Sequence, residues 1–149
     1  DQGLGVLVWS PLAGGLLSGK YRRNQAAPEG TRHLADWGEP PVRDESALYD
    51  VVDVLVEIAE ARGVSAAQIA LAWLIARPQV TSVIVGARTD AQLQDNLLAA
   101  DLTLNNEEIE RLNKVSQLPL LYPYWHQAQT APDRLSVADL SLIAPYLKK

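Results

Sequence analysis

The chain has 149 residues and a net charge of −5, with 48% of its residues apolar and 21% charged. That length and balance fit one globular domain with a real core, and the acidic surplus argues against the basic face that general nucleic-acid binding or a polybasic membrane contact requires. Cysteine is absent, which removes disulfides, thiolate catalysis and thiolate-held metals, and agrees with a reducing, cytoplasmic setting. The longest apolar stretch, Val51 to Ala61, is broken by Asp53, Glu57 and Glu60, so nothing approaches a membrane span. No signal peptide is visible, and no metal-ligand spacing. Methionine is also absent, and the opening Asp1-Gln2-Gly3-Leu4-Gly5 leads directly into an apolar run; the expectation is a piece of a longer protein.

Gly5 to Ser10 is a short apolar run without alternation, the pattern of a strand buried on both faces of a parallel sheet, and Pro11 ends it. Three glycines between Gly14 and Gly19 argue against a regular element there, and residues 22–42 read as a long irregular connection, a length that is usually functional or mobile. A helix is expected from about Asp44 to Arg62, with Val51, Val54, Leu55, Ile58 and Ala61 near helical spacing and Gly63 at its end. Ser65 is the expected N-cap of a second helix, Ala66 to Ala76, with Gln68 completing a capping box and Ile69, Leu71, Ala72, Trp73 and Ile75 on its buried side. Pro78 ends it. Thr81 to Gly86 reads as a second buried strand, Ala91 to Ala99 as a helix capped by Thr89 or Asp90, and Glu107 to Val115 as a helix capped by Asn106. Beyond Pro119 the chain is aromatic and punctuated by proline, with a short helix expected over Val137 to Leu147.

Strand, helices, strand is a βαβ order, which joins parallel strands. Two strands do not make a stable parallel sheet buried on both faces, so completion is expected from missing residues or from a second copy of the chain.

Two segments carry the chemical signal. Trp9-Ser10-Pro11-Leu12-Ala13-Gly14-Gly15 stands at the C-terminal end of a strand, where parallel α/β folds bind ligands. An indole there offers a stacking face, and glycines let backbone amides approach a phosphate. The same residues equally describe a buried core tryptophan beside an ordinary glycine-rich turn. In Gly86-Ala87-Arg88-Thr89-Asp90, a strand turns through glycine and arginine into a helix whose N-terminus attracts phosphate, and Gln92 and Asn96 share one face of that helix. The alternative is a solvated surface arginine. Taken together, a ring platform and a phosphate site at successive strand tips suit a dinucleotide, although the Gly-x-Gly-x-x-Gly fingerprint is absent.

Val8 to Tyr21 resembles the seventh-strand and loop signature of the aldo-keto reductases. Ser65 to Leu74 is similar to the helix before their eighth strand. Val83 to Thr89, followed by Gln92-Leu93 and Asn96-Leu97, looks like their eighth strand and adenosine-phosphate loop. The resemblance runs to about residue 116 and is nearest to the bacterial reductases and potassium-channel β-subunits. It implies an α/β fold: the C-terminal portion of a (β/α)8 barrel, with strands seven and eight in residues 1–116 and a C-terminal tail in 117–149, a single partial domain. It implies NADP(H) as cofactor, with Trp9 stacked on nicotinamide. Ser10, Pro11, Leu12, Ala13 and Gly14 would line the pyrophosphate under Lys20, and Arg32 would reach in from the long loop. Gly86 and Arg88 would hold the 2′-phosphate, while Gln92, Asp95 and Asn96 would contact adenosine. The cationic Arg88 favours NADP over NAD.

The family's catalytic Asp, Tyr, Lys and His come from the first half of the barrel, so no catalytic residue is expected in this chain. Tyr21, Tyr49, Tyr122, Tyr124 and Tyr146 do not substitute, and His33 and His126 read as loop or packing residues. The resemblance thus implies a parent oxidoreductase that reduces a small carbonyl substrate. The alternatives are a non-catalytic NADP(H)-sensing module of the channel β-subunit type and a fragment that binds nothing. In this family the tail often folds over the barrel mouth and shapes substrate choice. Tyr122, Tyr124 and Trp125 suit that role, and equally a cover for outer helices or a subunit contact.

Overall fold

Each of the four longer helices begins where a short polar side chain can accept a backbone amide. In the computed structural model, which describes residues 3–31, 41–130 and 132–146, α1 (Glu45–Arg62) starts on Asp44, whose carboxylate accepts from the Ala47 amide at 2.9 Å. It ends on Gly63 at φ 67°, whose N–H closes onto the carbonyls of the last turn. α2 (Ala66–Ile75) starts on Ser65 and α3 (Asp90–Leu97) on Thr89. α4 (Asn106–Val115) starts on Asn105, one residue before the expected cap Asn106. Glu108 stands three residues after Asn105, so only that asparagine closes a reciprocal capping box: Asn105 accepts from the Glu108 amide at 2.9 Å while Glu108 accepts from the Asn105 amide at 2.8 Å. Arg32 and His33 lie outside the described residues.

The strands are β1 (Val6–Trp9) and β2 (Val80–Ile84), paired in parallel with Trp9 opposite Ile84. The register slips between Val6 and Leu7, and Thr81 is the extra residue. A Cβ placed on Gly5 would fall 2.0 Å from Thr81 Oγ1, so a side chain there would force Thr81 to move. Burial departs from expectation. Leu7 is 63% exposed and Ile84 50%. α2 packs beside β2, and among the described residues the sheet has no third strand. An apolar, unalternating strand is built for cover on both faces, and this sheet is not so covered.

The core of residues 4–116 lies between α1, α2 and α4. Val52, Leu55, Val56, Ile58 and Ala59 of α1 meet Ile69, Ala70 and Ala72 of α2, Leu104 and Leu112. The buried face of α1 is wider than the helical spacing suggests: Val52, Val56 and Ala59 join Leu55 and Ile58, Val51 and Val54 pack half-buried against them, and Ala61 is exposed. Partners on both sides of the helix widen that face. α2 buries every residue from Ala66 to Ala72, whereas Trp73 is half-buried and Ile75 exposed. In place of an irregular glycine turn, Ala13–Ser18 forms tight 3-10 turns kinked at Gly14 and Gly15, with φ of 65° and 95°.

The C-terminal stretch from Gln117 is a separate unit. It contains α5 (Tyr124–Thr130), which proline and clustered aromatics hid from the sequence reading, and α6 (Val137–Ile143), capped reciprocally by Ser136 and Asp139. His126 lies edge-on to Trp125, with ring centres 5.6 Å apart. Among the described residues no single helix is long and apolar enough to cross a membrane.

A forked ion pair ties α1 to α4. Arg62 donates through Nε and one terminal nitrogen to the two Glu108 oxygens, each at 2.6 Å, and through the other to the Thr103 carbonyl at 3.1 Å. These hydrogen bonds hold the Glu108 carboxyl below its ordinary value of 4.5. Above that value the carboxylate is charged whether the chain is folded or not, and the pair contributes in full. As pH falls below it, the unfolded chain takes up the proton first, so the contribution is lost on acidification. Urea midpoints of the wild-type protein and Glu108→Gln should therefore differ at pH 7, and the gap should narrow as pH falls below 4.5; a gap independent of pH would contradict this.

Candidate functional site

At the C-terminal ends of β1 and β2 lies a cleft of about 660 Å³, lined by both strand tips, the glycine turns after β1, the N-terminal end of α2 and a face of α3. Trp9 closes β1 and is 76% exposed, its indole open to a flat ligand. The backbone beyond it is held in the left-handed region at Ser10 (φ 52°), Ala13 (φ 49°), Gly14 and Gly15. Two of these four are not glycine, a conformation that costs of order 1–3 kcal/mol per residue and clusters at functional sites.

Internal hydrogen bonds shape this turn. The Ala13 amide donates to the Ser10 carbonyl at 2.9 Å and the Gly15 amide to the Leu12 carbonyl at 2.9 Å. Lys20 folds back over the turn: a Cβ on Gly15 would meet its Nζ at 2.9 Å. The ammonium also lies 5.1 Å from the centre of the Tyr21 ring.

At the other strand tip, Thr89 accepts from the Gln92 amide at 3.2 Å, and the Gln92 side chain accepts from the Arg88 amide at 3.0 Å. The leading amides of α3 are thus partly spoken for, and Asp90 adds negative charge beside them. Attraction for an anion at this end falls to the Arg88 guanidinium more than to the helix terminus. That guanidinium is exposed and donates to the Gly30 carbonyl at 3.3 Å, which joins the long connection to this end of the cleft.

The structure brings together Trp9, Ser10, Pro11, Leu12, Gly14, Lys20, Gly86, Arg88, Gln92, Asp95 and Asn96 around this one cleft. Ala13 does not line it, and its amide is turned inward to Ser10. Arg32 is outside the described residues. Ser18, Ser65 and Ala67 also line the cleft. Of these, Ser65 was legible only as a helix cap, because more than fifty residues separate it from Trp9 and its role at the cleft depends on where α2 begins in space. Among the described residues no three His, Asp or Glu side chains gather at metal-binding distance.

A family profile described as the aldo/keto reductase family matches residues 1–117. The chain belongs to the aldo/keto reductase family. Family membership implies a (β/α)8 barrel, and residues 4–116 form a small α/β piece with two parallel strands. Similar proteins include an uncharacterized oxidoreductase, YrpG, of Bacillus subtilis, 39% identical over 115 residues that make up 77% of this chain and 33% of YrpG. A probable voltage-gated potassium channel subunit beta of Arabidopsis thaliana is 39% identical over 105 residues, 68% of this chain and 31% of its own. An L-glyceraldehyde 3-phosphate reductase of Escherichia coli O157:H7 is 37% identical over 119 residues, 76% and 34% of the two chains. This aldo/keto reductase chain thus spans about a third of the length of the curated relatives it matches.

Proposed function

We propose that these residues form the NADP(H)-binding C-terminal portion of an aldo/keto reductase that reduces aldehydes or ketones to alcohols. In this reading residues 1–116 supply strands seven and eight of the barrel and residues 117–149 its tail, and the exposed sheet is completed by the rest of the barrel. The observation that carries it is the cleft itself: an open indole and a guanidinium at neighbouring strand tips, with an ammonium folded over the left-handed turn that follows β1. A dinucleotide offers a flat ring to the first, a 2′-phosphate to the second and a pyrophosphate to the third.

The residues present fit that group. Gly15 leaves room for the Lys20 ammonium where a side chain would displace it, so positive charge sits against the turn. Trp9 would hold the nicotinamide ring, Ser10 to Leu12 and Gly14 the linking phosphates, and Arg88 the 2′-phosphate, with Gln92, Asp95 and Asn96 toward the adenosine. NADPH, when bound, supplies a hydride for carbonyl reduction. The part played by this chain is to fix the ring, neutralise the phosphates and exclude water from the ring face. The proton donor and its partners belong, in this reading, to the rest of the barrel. A cytoplasmic location agrees with the absence of cysteine.

The names of the channel-subunit relatives favour a second reading, an NADP(H)-sensing module without turnover. NADPH oxidation with a panel of aldehydes separates the two when run on the complete protein: turnover supports the reductase, and binding without turnover the sensor. Both readings predict that NADPH quenches tryptophan emission and that Trp9→Phe removes most of the quench. Undiminished quenching in that variant would place the coenzyme elsewhere.

A further inference from the structure

The capping box expected at the start of α2 is only half formed. The Gln68 amide donates to Ser65 Oγ at 3.1 Å, as a cap requires. The Gln68 side chain does not return to the Ser65 amide; its Nε2 donates to Asp95 Oδ1 at 2.6 Å. Because the cap occupies an acceptor site of Ser65 Oγ, the hydroxyl proton is directed outward, and it donates to Asp95 Oδ2 at 2.7 Å. One carboxylate on α3 is therefore held by two donors from the first turn of α2. Gln68 is only 5% exposed, so its amide has little freedom to turn away. A carboxylate demands donors, which settles that the Nε2 side of that amide faces Asp95.

Asp95 and Ser65 both line the cleft, and Asn96, nine-tenths buried, follows Asp95 in the same wall. Two donors fill only half of the acceptor sites of a carboxylate. The remaining lone pairs have a direction set by Ser65 and Gln68 rather than by the rotamer freedom of an exposed aspartate. An oriented, ionised acceptor in a partly dry wall discriminates strongly between a ligand that brings a donor and one that brings an acceptor, because the mismatched ligand leaves a desolvated charge unpaired.

We propose that Ser65 and Gln68 are positioning residues which, by orienting Asp95, make the adenosine end of the cleft selective for a purine carrying an exocyclic amino donor. The proposal rests on the dinucleotide reading of the cleft given above. Gln68 does not line the cleft, and both residues act through the Asp95 carboxylate to which they donate. Hypoxanthine differs from adenine at this position by an oxygen in place of the amino group, so it presents an acceptor to an acceptor.

The test compares dissociation constants of NADPH and its hypoxanthine analogue on the complete protein. The wild-type protein should favour NADPH by about tenfold or more, the ratio expected of one hydrogen bond to a charged group. Gln68→Leu keeps the side-chain bulk and removes the donor; it should weaken NADPH and bring the ratio near one. Ser65→Thr keeps both cap and hydroxyl and should retain the ratio. Asp95→Asn, whose amide presents a donor on one side, should also lose it and serves if Gln68→Leu does not fold. A simple loss of stability would weaken both coenzymes alike and leave the ratio unchanged. Equal wild-type binding of the two coenzymes, an undiminished ratio in a folded Gln68→Leu, or an undiminished ratio in Asp95→Asn overturns the proposal while the dinucleotide reading stands. Binding of neither coenzyme to the wild-type protein overturns that reading and the proposal with it.

Discussion

Replacing Arg88 by alanine is expected to weaken NADPH binding about ten- to a hundredfold while leaving NADH nearly unchanged. The two coenzymes differ by the 2′-phosphate, and the guanidinium assigned to it stands exposed at the tip of β2 with one hydrogen bond to the Gly30 carbonyl. Losing that exposed contact should cost the fold little, since surface interactions of this kind contribute about 0–1 kcal/mol. The neighbouring amides do not replace the charge, because Thr89 takes the Gln92 amide and Gln92 takes that of Arg88. Arg88→Lys should restore the affinity only in part: an ammonium supplies charge without the fork that grips two phosphate oxygens. Isothermal titration with both coenzymes measures the split. Equal weakening of NADPH and NADH would remove Arg88 from the 2′-phosphate.

Ile69→Ala should destabilise the protein by about 2–5 kcal/mol, and Ile69→Val by about 0.5–1.5 kcal/mol. Ile69 is fully buried in the centre of α2, where that helix meets α1 and α4. Every α2 residue from Ala66 to Ala72 is buried, four of them alanines, so the helix lies close to its neighbours and there is little slack to refill a cavity. Denaturation by urea, followed by circular dichroism, gives both values. An Ile69→Ala cost under about 0.5 kcal/mol, the range of surface substitutions, would contradict the packing described.

The gathering of eleven expected residues around one cleft follows from short-range features that a linear chain carries openly. An apolar run ended by Pro11, a glycine turn, and a strand running through Gly86 into a capped helix each declare their ends locally. Once the two strands pair in parallel, those ends meet at one edge. Capping is equally local, which is why Asp44, Ser65 and Thr89 were readable as helix starts. The offset at Asn105 arose where two asparagines adjoin and the partner glutamate decided between them.

The amino-acid order by itself determined where helices and strands begin, which way the strands run relative to one another, and which side chains stand at their tips, because caps, turns and hydrophobic period act over a few residues. Tertiary packing alone decided the extension of the buried face of α1 to Val52, Val56 and Ala59, the exposure of the strand faces at Leu7 and Ile84, and the diversion of Gln68 from its own cap to Asp95. Each of those outcomes depends on a partner distant in the chain: a helix face is chosen by what it meets, a strand is buried only when layers cover it, and a side chain with two possible acceptors turns to the charged one brought within reach.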